Sequence, residues 1–142
     1  MVTEISAGGV IFRQKSNKLQ ILVLKDKNNH WTFPKGAIED DEDKKDAAQR
    51  EIIEEVGITN LYFIIELTPI SYWYKWQNNI IKKTVYYLLF KSIGKEIPKP
   101  QKEEGIQDVK WVNIDDAPEI IGYPKTNKPI LEEVKKKLYG MD

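Results

Sequence analysis

Three glutamates, Glu51, Glu54 and Glu55, stand at three- and four-residue spacing in a charged stretch that runs from Asp40 to Val56 and stops at Gly57. The stretch favours helix, and the glycine can take the left-handed conformation that ends one. At about 100° per residue, Glu54, Glu51 and Glu55 fall within roughly one quarter of the helix surface, with Ala47 in the middle of the same face. Ala48, Ile52, Val56 and Ile53 form a separate apolar face that can dock on a sheet. Carboxylates so spaced repel by about 0.2–0.5 kcal/mol per pair, a cost that a divalent cation would remove. Mg²⁺ suits the set, because it prefers hard oxygen ligands, keeps several waters and is commonly shared between a few carboxylates and substrate phosphates. Such an ion would neutralise phosphate oxygens and lower the pKa of an attacking water. The small Ala47 would leave room for the phosphates.

Other side chains suit an anionic, base-bearing substrate. Lys35, directly before Gly36, and Lys83, near the start of an apolar strand, offer point charges for a polyphosphate. Lys83 equally fits a solvent-facing strand lysine in a Lys-rich chain. Tyr72 and Tyr74 share one face of a strand by the two-residue alternation, with Trp73 opposite. Such rings can stack a purine, or serve as ordinary sheet-surface aromatics. His30 is the only histidine, and beside Trp31 it reads as an incidental loop residue, since this chemistry runs on Glu and water alone.

The elements that must position these groups follow from pattern. Ser6 to Phe12 and Leu19 to Lys25 read as two strands joined across Arg13 to Lys18, and His30 to Lys35 reads as a loop. Leu61 to Trp76 and Ile80 to Ile93 are long β-rich runs separated by the turn Gln77-Asn78-Asn79. Pro98 to Glu104 is a polar loop, Ile106 to Val112 a short strand, and Lys128 to Leu138 a closing amphipathic helix. Strands, an acidic helix, more strands and a final helix describe an α/β protein with a mixed sheet covered by helices, and 142 residues with 41% hydrophobic content suit one domain over residues 1–142.

Bulk composition excludes several classes. With 22 basic and 22 acidic residues the formal charge is zero, which argues against a membrane surface or long nucleic acid as partner and leaves RNA 5′ ends as the one nucleic-acid possibility. The absence of cysteine removes thiol nucleophiles, disulfides and zinc–thiolate sites. No apolar run approaches a membrane span and no signal segment stands at the N-terminus, so the expectation is a soluble, cytoplasmic protein.

The spacing Gly36, five residues, Glu42, seven residues, then Arg50-Glu51-Ile52-Ile53-Glu54-Glu55-Val56-Gly57-Ile58 resembles the Nudix box at every specified position. That resemblance implies an α/β/α sandwich in which a loop, helix, loop unit binds one to three divalent ions, Mg²⁺ or Mn²⁺. It implies Glu51, Glu54 and Glu55 as metal-holding catalytic carboxylates, with Gly36 contributing a backbone carbonyl. It also implies Arg50 and Glu42 as a supporting pair, although two helical turns would separate them if both were helical, directing Arg50 toward Glu54 instead. Ser6 to Phe12, Trp31 to Gly36, Tyr72-Trp73-Tyr74 and Lys83 to Tyr87 are similar to the asymmetric diadenosine tetraphosphate hydrolases of this family. That narrower resemblance implies a nucleoside polyphosphate substrate, cleaved from diadenosine tetraphosphate to ATP and AMP. It pairs Tyr74 with Tyr123 around a base and makes Glu104, in preference to Glu103, an assisting carboxylate or base. Rival readings are an RNA 5′ pyrophosphohydrolase, a nucleoside triphosphate pyrophosphohydrolase and, from another class, a Nudix-fold sensor that binds without cleaving.

Overall fold

Ser16 and Asn17 both take positive φ, 52° and 62°, and close a two-residue turn whose backbone twist matches that of the strands it joins. The first hairpin is therefore longer than its apolar pattern suggests: β1 (Val2–Lys15) and β2 (Lys18–Lys25) pair right up to Lys15 against Lys18. In the computed structural model, which describes residues 2–140, the chain continues through β3 (Trp31–Thr32), β4 (Lys35–Ala37) and α1 (Lys44–Val56). Then come β5 (Leu61–Glu66), β6 (Ile70–Trp76), β7 (Asn79–Ser92), β8 (Asp108–Asn113), α2 (Ala117–Ile120) and α3 (Pro124–Leu138).

β1 and β7 pair in parallel from Val2 against Ile81 to Phe12 against Lys91, while the other ladders are antiparallel. The order is β3-β2-β1-β7-β5, with β4 on β1, β6 on β7 and β8 on β2. Each face of this mixed sheet carries its own core. On one side Ile11, Leu22 and Phe90 meet Ala47, Ala48, Ile52 and Val56 of α1. On the other, Val10, Ile21, Val85 and Tyr87 meet Ile130, Leu131 and Val134 of α3. This is the α/β/α sandwich, and no helix in the described residues is long and apolar enough to cross a membrane.

Local chemistry moves several boundaries. The run Leu61 to Trp76 is two strands, because Pro69 has no N–H to give a ladder and Thr68 turns its own toward Glu133 at 2.9 Å. α1 begins at Lys44 rather than Asp40, because the Asp43 carboxylate caps the Asp46 N–H at 2.8 Å and holds residues 40–43 outside the helix. Gly57 ends it at φ 72°, its N–H bonded to the Ile53 carbonyl. Replacing Asp43 by Ala is expected to cost about 1 kcal/mol of stability, read from urea denaturation, and an unchanged midpoint would remove the cap from the account. Two face assignments also change. Ile53 lies at the edge of the apolar face and is 45% exposed, whereas Ala47 is fully buried against the sheet, so it opens no space for phosphates.

Candidate active site

Arg50 organises the acidic face of α1. Its Nε and Nη2 donate to the two oxygens of Glu42 at 2.7 and 2.9 Å, Nη1 donates to Glu51 and Glu54 at 2.8 and 3.1 Å, and Nη2 also reaches the Ala37 carbonyl at 3.0 Å. The expected choice between Glu42 and Glu54 does not arise: Glu42 precedes the helix, so its loop folds back over the guanidinium. The planar fork allows both, and the pairing holds Glu42 down at about 2 and raises Arg50.

Glu51 is buried, and burial lifts its pKa despite the Arg50 partner. It packs directly on Gly36, where a Cβ would overlap its carboxylate group. Glycine is thus required on steric grounds at the start of the box. The half-buried Glu55 accepts from the Lys35 N–H at 3.1 Å, and burial together with the Glu51 charge pushes it up to about 8. Each of the three carboxylates is anchored through one oxygen: Glu51 Oε2, Glu54 Oε1 and Glu55 Oε1. Among the described residues no hydrogen bond occupies the second oxygen of any of them. A mutually repelling set of hard oxygens, oriented from behind and free in front, fits a divalent cation. As the side chains stand, no three acidic or imidazole groups among the described residues close tightly around one point.

Glu55 opens into a cavity of about 370 Å³ that also receives Lys35, Glu104, Tyr72 and Tyr123. Lys35 is driven down by burial and by the neighbouring Lys83 ammonium, so two cations face each other where a polyphosphate would relieve them. Lys83 is not itself part of the cavity lining; it stands opposite Tyr72 in the β6–β7 ladder and shares its face. Glu104, from the 3₁₀ turn Lys102–Glu104, lines the cavity while Glu103 does not, and its charge raises both Glu51 and Glu55. Of the tyrosines on the shared strand face, Tyr72 lines the cavity with Tyr123. Tyr74 lies beyond the lining, its hydroxyl donating to Glu4 at 2.6 Å. The structure thus brings Tyr123 together with Tyr72 rather than with the expected Tyr74.

Two residues of this wall, Asp26 and Asn127, escaped the sequence reading, and His30, read there as incidental, packs behind Tyr123. Asp26 accepts from the Tyr123 hydroxyl at 2.7 Å and from the Asn28 and His30 N–H groups at 2.9 and 3.0 Å. His30 Nδ1 lies 3.2 Å from the same hydroxyl, and its ring meets Tyr123 edge-on with centroids 4.8 Å apart. Asn127 is buried in the first turn of α3, because that helix starts at Pro124 rather than Lys128. The only sequence signal was the Asp26–Asn29 cluster of turn formers, which reads as a loop and nothing more.

Residues 2–134 match the NUDIX domain family. The chain belongs to that family. Over 121 residues it is 33% identical to the bis(5′-nucleosyl)-tetraphosphatase (asymmetrical) of Caenorhabditis elegans, covering 83% of this chain and 85% of that one. An Ap4A hydrolase of the same organism, solved as a binary complex, superposes with a TM-score of 0.80 at 28% identity, over 97% of this chain and 99% of that one. An RNA pyrophosphohydrolase of Campylobacter jejuni is 30% identical over 118 residues, 78% of this chain and 75% of that one. The chain spans only 36% and 55% of the length of two further curated relatives. The α/β/α sandwich described above is the fold expected of this family.

Proposed function

We propose that this Nudix hydrolase cleaves dinucleoside polyphosphates, nominally diadenosine tetraphosphate to ATP and AMP, in the cytoplasm. The observation that carries the reading is one cavity shared by Glu55 of the acidic helix, the Lys35 ammonium and the rings of Tyr72 and Tyr123. A base on the rings and a polyphosphate on the lysines would then run toward the carboxylates in a single bound pose.

A divalent ion, Mg²⁺ or Mn²⁺, would be held by Glu51, Glu54 and Glu55 with the Gly36 carbonyl and would supply charge neutralisation at the phosphate oxygens. Arg50 and the Lys35 N–H keep those carboxylates oriented, and Lys35 and Lys83 bind the phosphate chain. Glu104, whose carboxylate makes no hydrogen bond among the described residues and which lines the cavity, accepts the proton of the water that attacks phosphorus in line. The water oxygen forms the new P–O bond, and the anhydride oxygen leaves with the other product.

A base held at one end fixes where the carboxylates meet the chain, so cleavage is asymmetric. In ¹⁸O-labelled water, diadenosine tetraphosphate is expected to give equimolar ATP and AMP with label in only one of them, by mass spectrometry. Two molecules of ADP, or faster release of pyrophosphate from nucleoside triphosphates or triphosphorylated RNA, would overturn the substrate. Tyr123→Ala is expected to raise KM about tenfold or more with little change in kcat, in keeping with about 1–3 kcal/mol per stacked base. Tyr72→Ala should follow it and Tyr74→Ala should not. An equal loss on inorganic tetraphosphate would make the rings structural only.

A further inference from the structure

Asn127 is 2% exposed and lines the cavity one helical turn after Tyr123. Its Nδ2 spends both protons inside the protein, on the Gly122 carbonyl at 2.8 Å and on Thr32 Oγ1 at 3.1 Å. A carbonyl can only accept, so the amide cannot be turned over without setting two oxygens against each other. The orientation is therefore fixed, and Oδ1 is the group left over. Among the described residues no donor reaches it. Nor is it enclosed: the one fully enclosed side-chain N or O without a partner there is Trp111 Nε1, on β8 and away from this cavity. A nearly buried amide thus presents one bare acceptor to the cavity. The Tyr123 hydroxyl is already engaged by Asp26 and His30, and the Asp26 oxygens by Tyr123, Asn28 and His30.

We infer that Asn127 determines nucleobase specificity: its Oδ1 accepts a hydrogen bond from the exocyclic amino group of the bound base, selecting adenine over hypoxanthine. The inference rests on the reading that the cavity holds a base. In the pose that suits adenine, hypoxanthine would bring its O6 against Oδ1, lone pair to lone pair, and a purine bare at that position would leave Oδ1 unpaired and dry. An unmet buried acceptor costs enough to change affinity by about tenfold or more.

The test is calorimetric binding of ATP, purine riboside triphosphate and ITP to the full chain with Mg²⁺ present, beside kcat/KM on diadenosine and diinosine tetraphosphate. ATP should bind at least about tenfold more tightly than ITP, with the bare purine between, and the tetraphosphates should show the same preference. Asn127→Ala should bring the ATP-to-ITP ratio to within about twofold of one. That ratio compares two ligands on one protein, so it does not depend on the fraction folded, and the ligand series on the unaltered chain stands whether or not the variant folds. Equal affinity for ATP and ITP, or a preference that survives Asn127→Ala, would overturn the inference; if Tyr123→Ala still weakened both ligands, the base-binding reading would remain. Inorganic tetraphosphate hydrolysed as fast as diadenosine tetraphosphate, with no base contributing to binding, would remove that reading and the inference with it.

Discussion

Replacing Glu55 by glutamine is expected to lower turnover by about 10³-fold or more while making the metal-free protein more stable at alkaline pH. The loss follows from removing one of the three carboxylates that fit the cation, and with it charge stabilisation worth several kcal/mol at the phosphate. The gain follows from burial. In the unfolded chain this carboxyl gives up its proton near pH 4.3, and in the folded chain near 8. Between those values the folded state binds more protons, so the carboxyl's contribution to stability falls as pH rises from about 4.3 to about 8 and is level above. Full linkage over that interval would be about 5 kcal/mol, and the solvent access of a half-buried group brings the expected difference to about 1–3 kcal/mol. Glutamine resembles the protonated acid and carries no such dependence. Urea denaturation of both proteins at pH 5 and pH 8.5, without divalent ions, measures it. Cation binding needs the ionised form, so the Mg²⁺ affinity of the parent should rise with pH up to about 8. Near-normal turnover in a folded Glu55→Gln protein would end the assignment.

Arg50→Ala moves activity and stability in the same direction. The guanidinium makes hydrogen bonds to Glu42, Glu51, Glu54 and the Ala37 carbonyl, and its loss leaves Glu51 as a buried charge without a counter-ion. Breaking such a pair from one side costs about 2–4 kcal/mol. Turnover should fall by about 10²-fold even at saturating Mg²⁺, because the carboxylates lose the support that aims them. Arg50→Lys should recover little, since one ammonium cannot hold a planar fork of bonds to three carboxylates. Wild-type stability in Arg50→Ala would show that the network is an ornament of the surface.

The acidic helix was legible because everything that defines it is local. Glu51, Glu54 and Glu55 meet through the 3.6-residue repeat, and Gly57 closes the helix through its own backbone freedom. Where the same reasoning went astray, a contact outside the helical repeat intervened. Ala47 shares the wheel position of the glutamates, yet the sheet covers it. Glu42 reaches Arg50 because the Asp43 cap keeps it out of the helix, a detail of hydrogen bonding that spacing alone does not express.

What the sequence determined by itself is the family: a box of carboxylates, an arginine and two glycines that all fall in the one segment from Gly36 to Gly57. Only the tertiary structure decided what faces those carboxylates. Tyr123 and Asp26 lie 97 residues apart and Asn127 and Thr32 lie 95 apart, and they meet because α3 docks across the sheet face that carries Val10, Val85 and Tyr87. Tyr72 and Tyr74 are equivalent by alternation, and only their distance from that docked helix makes one a cavity wall and the other a partner of Glu4. Periodicity tells which face of a strand a side chain takes; what lies above that face is set by packing between segments remote in sequence.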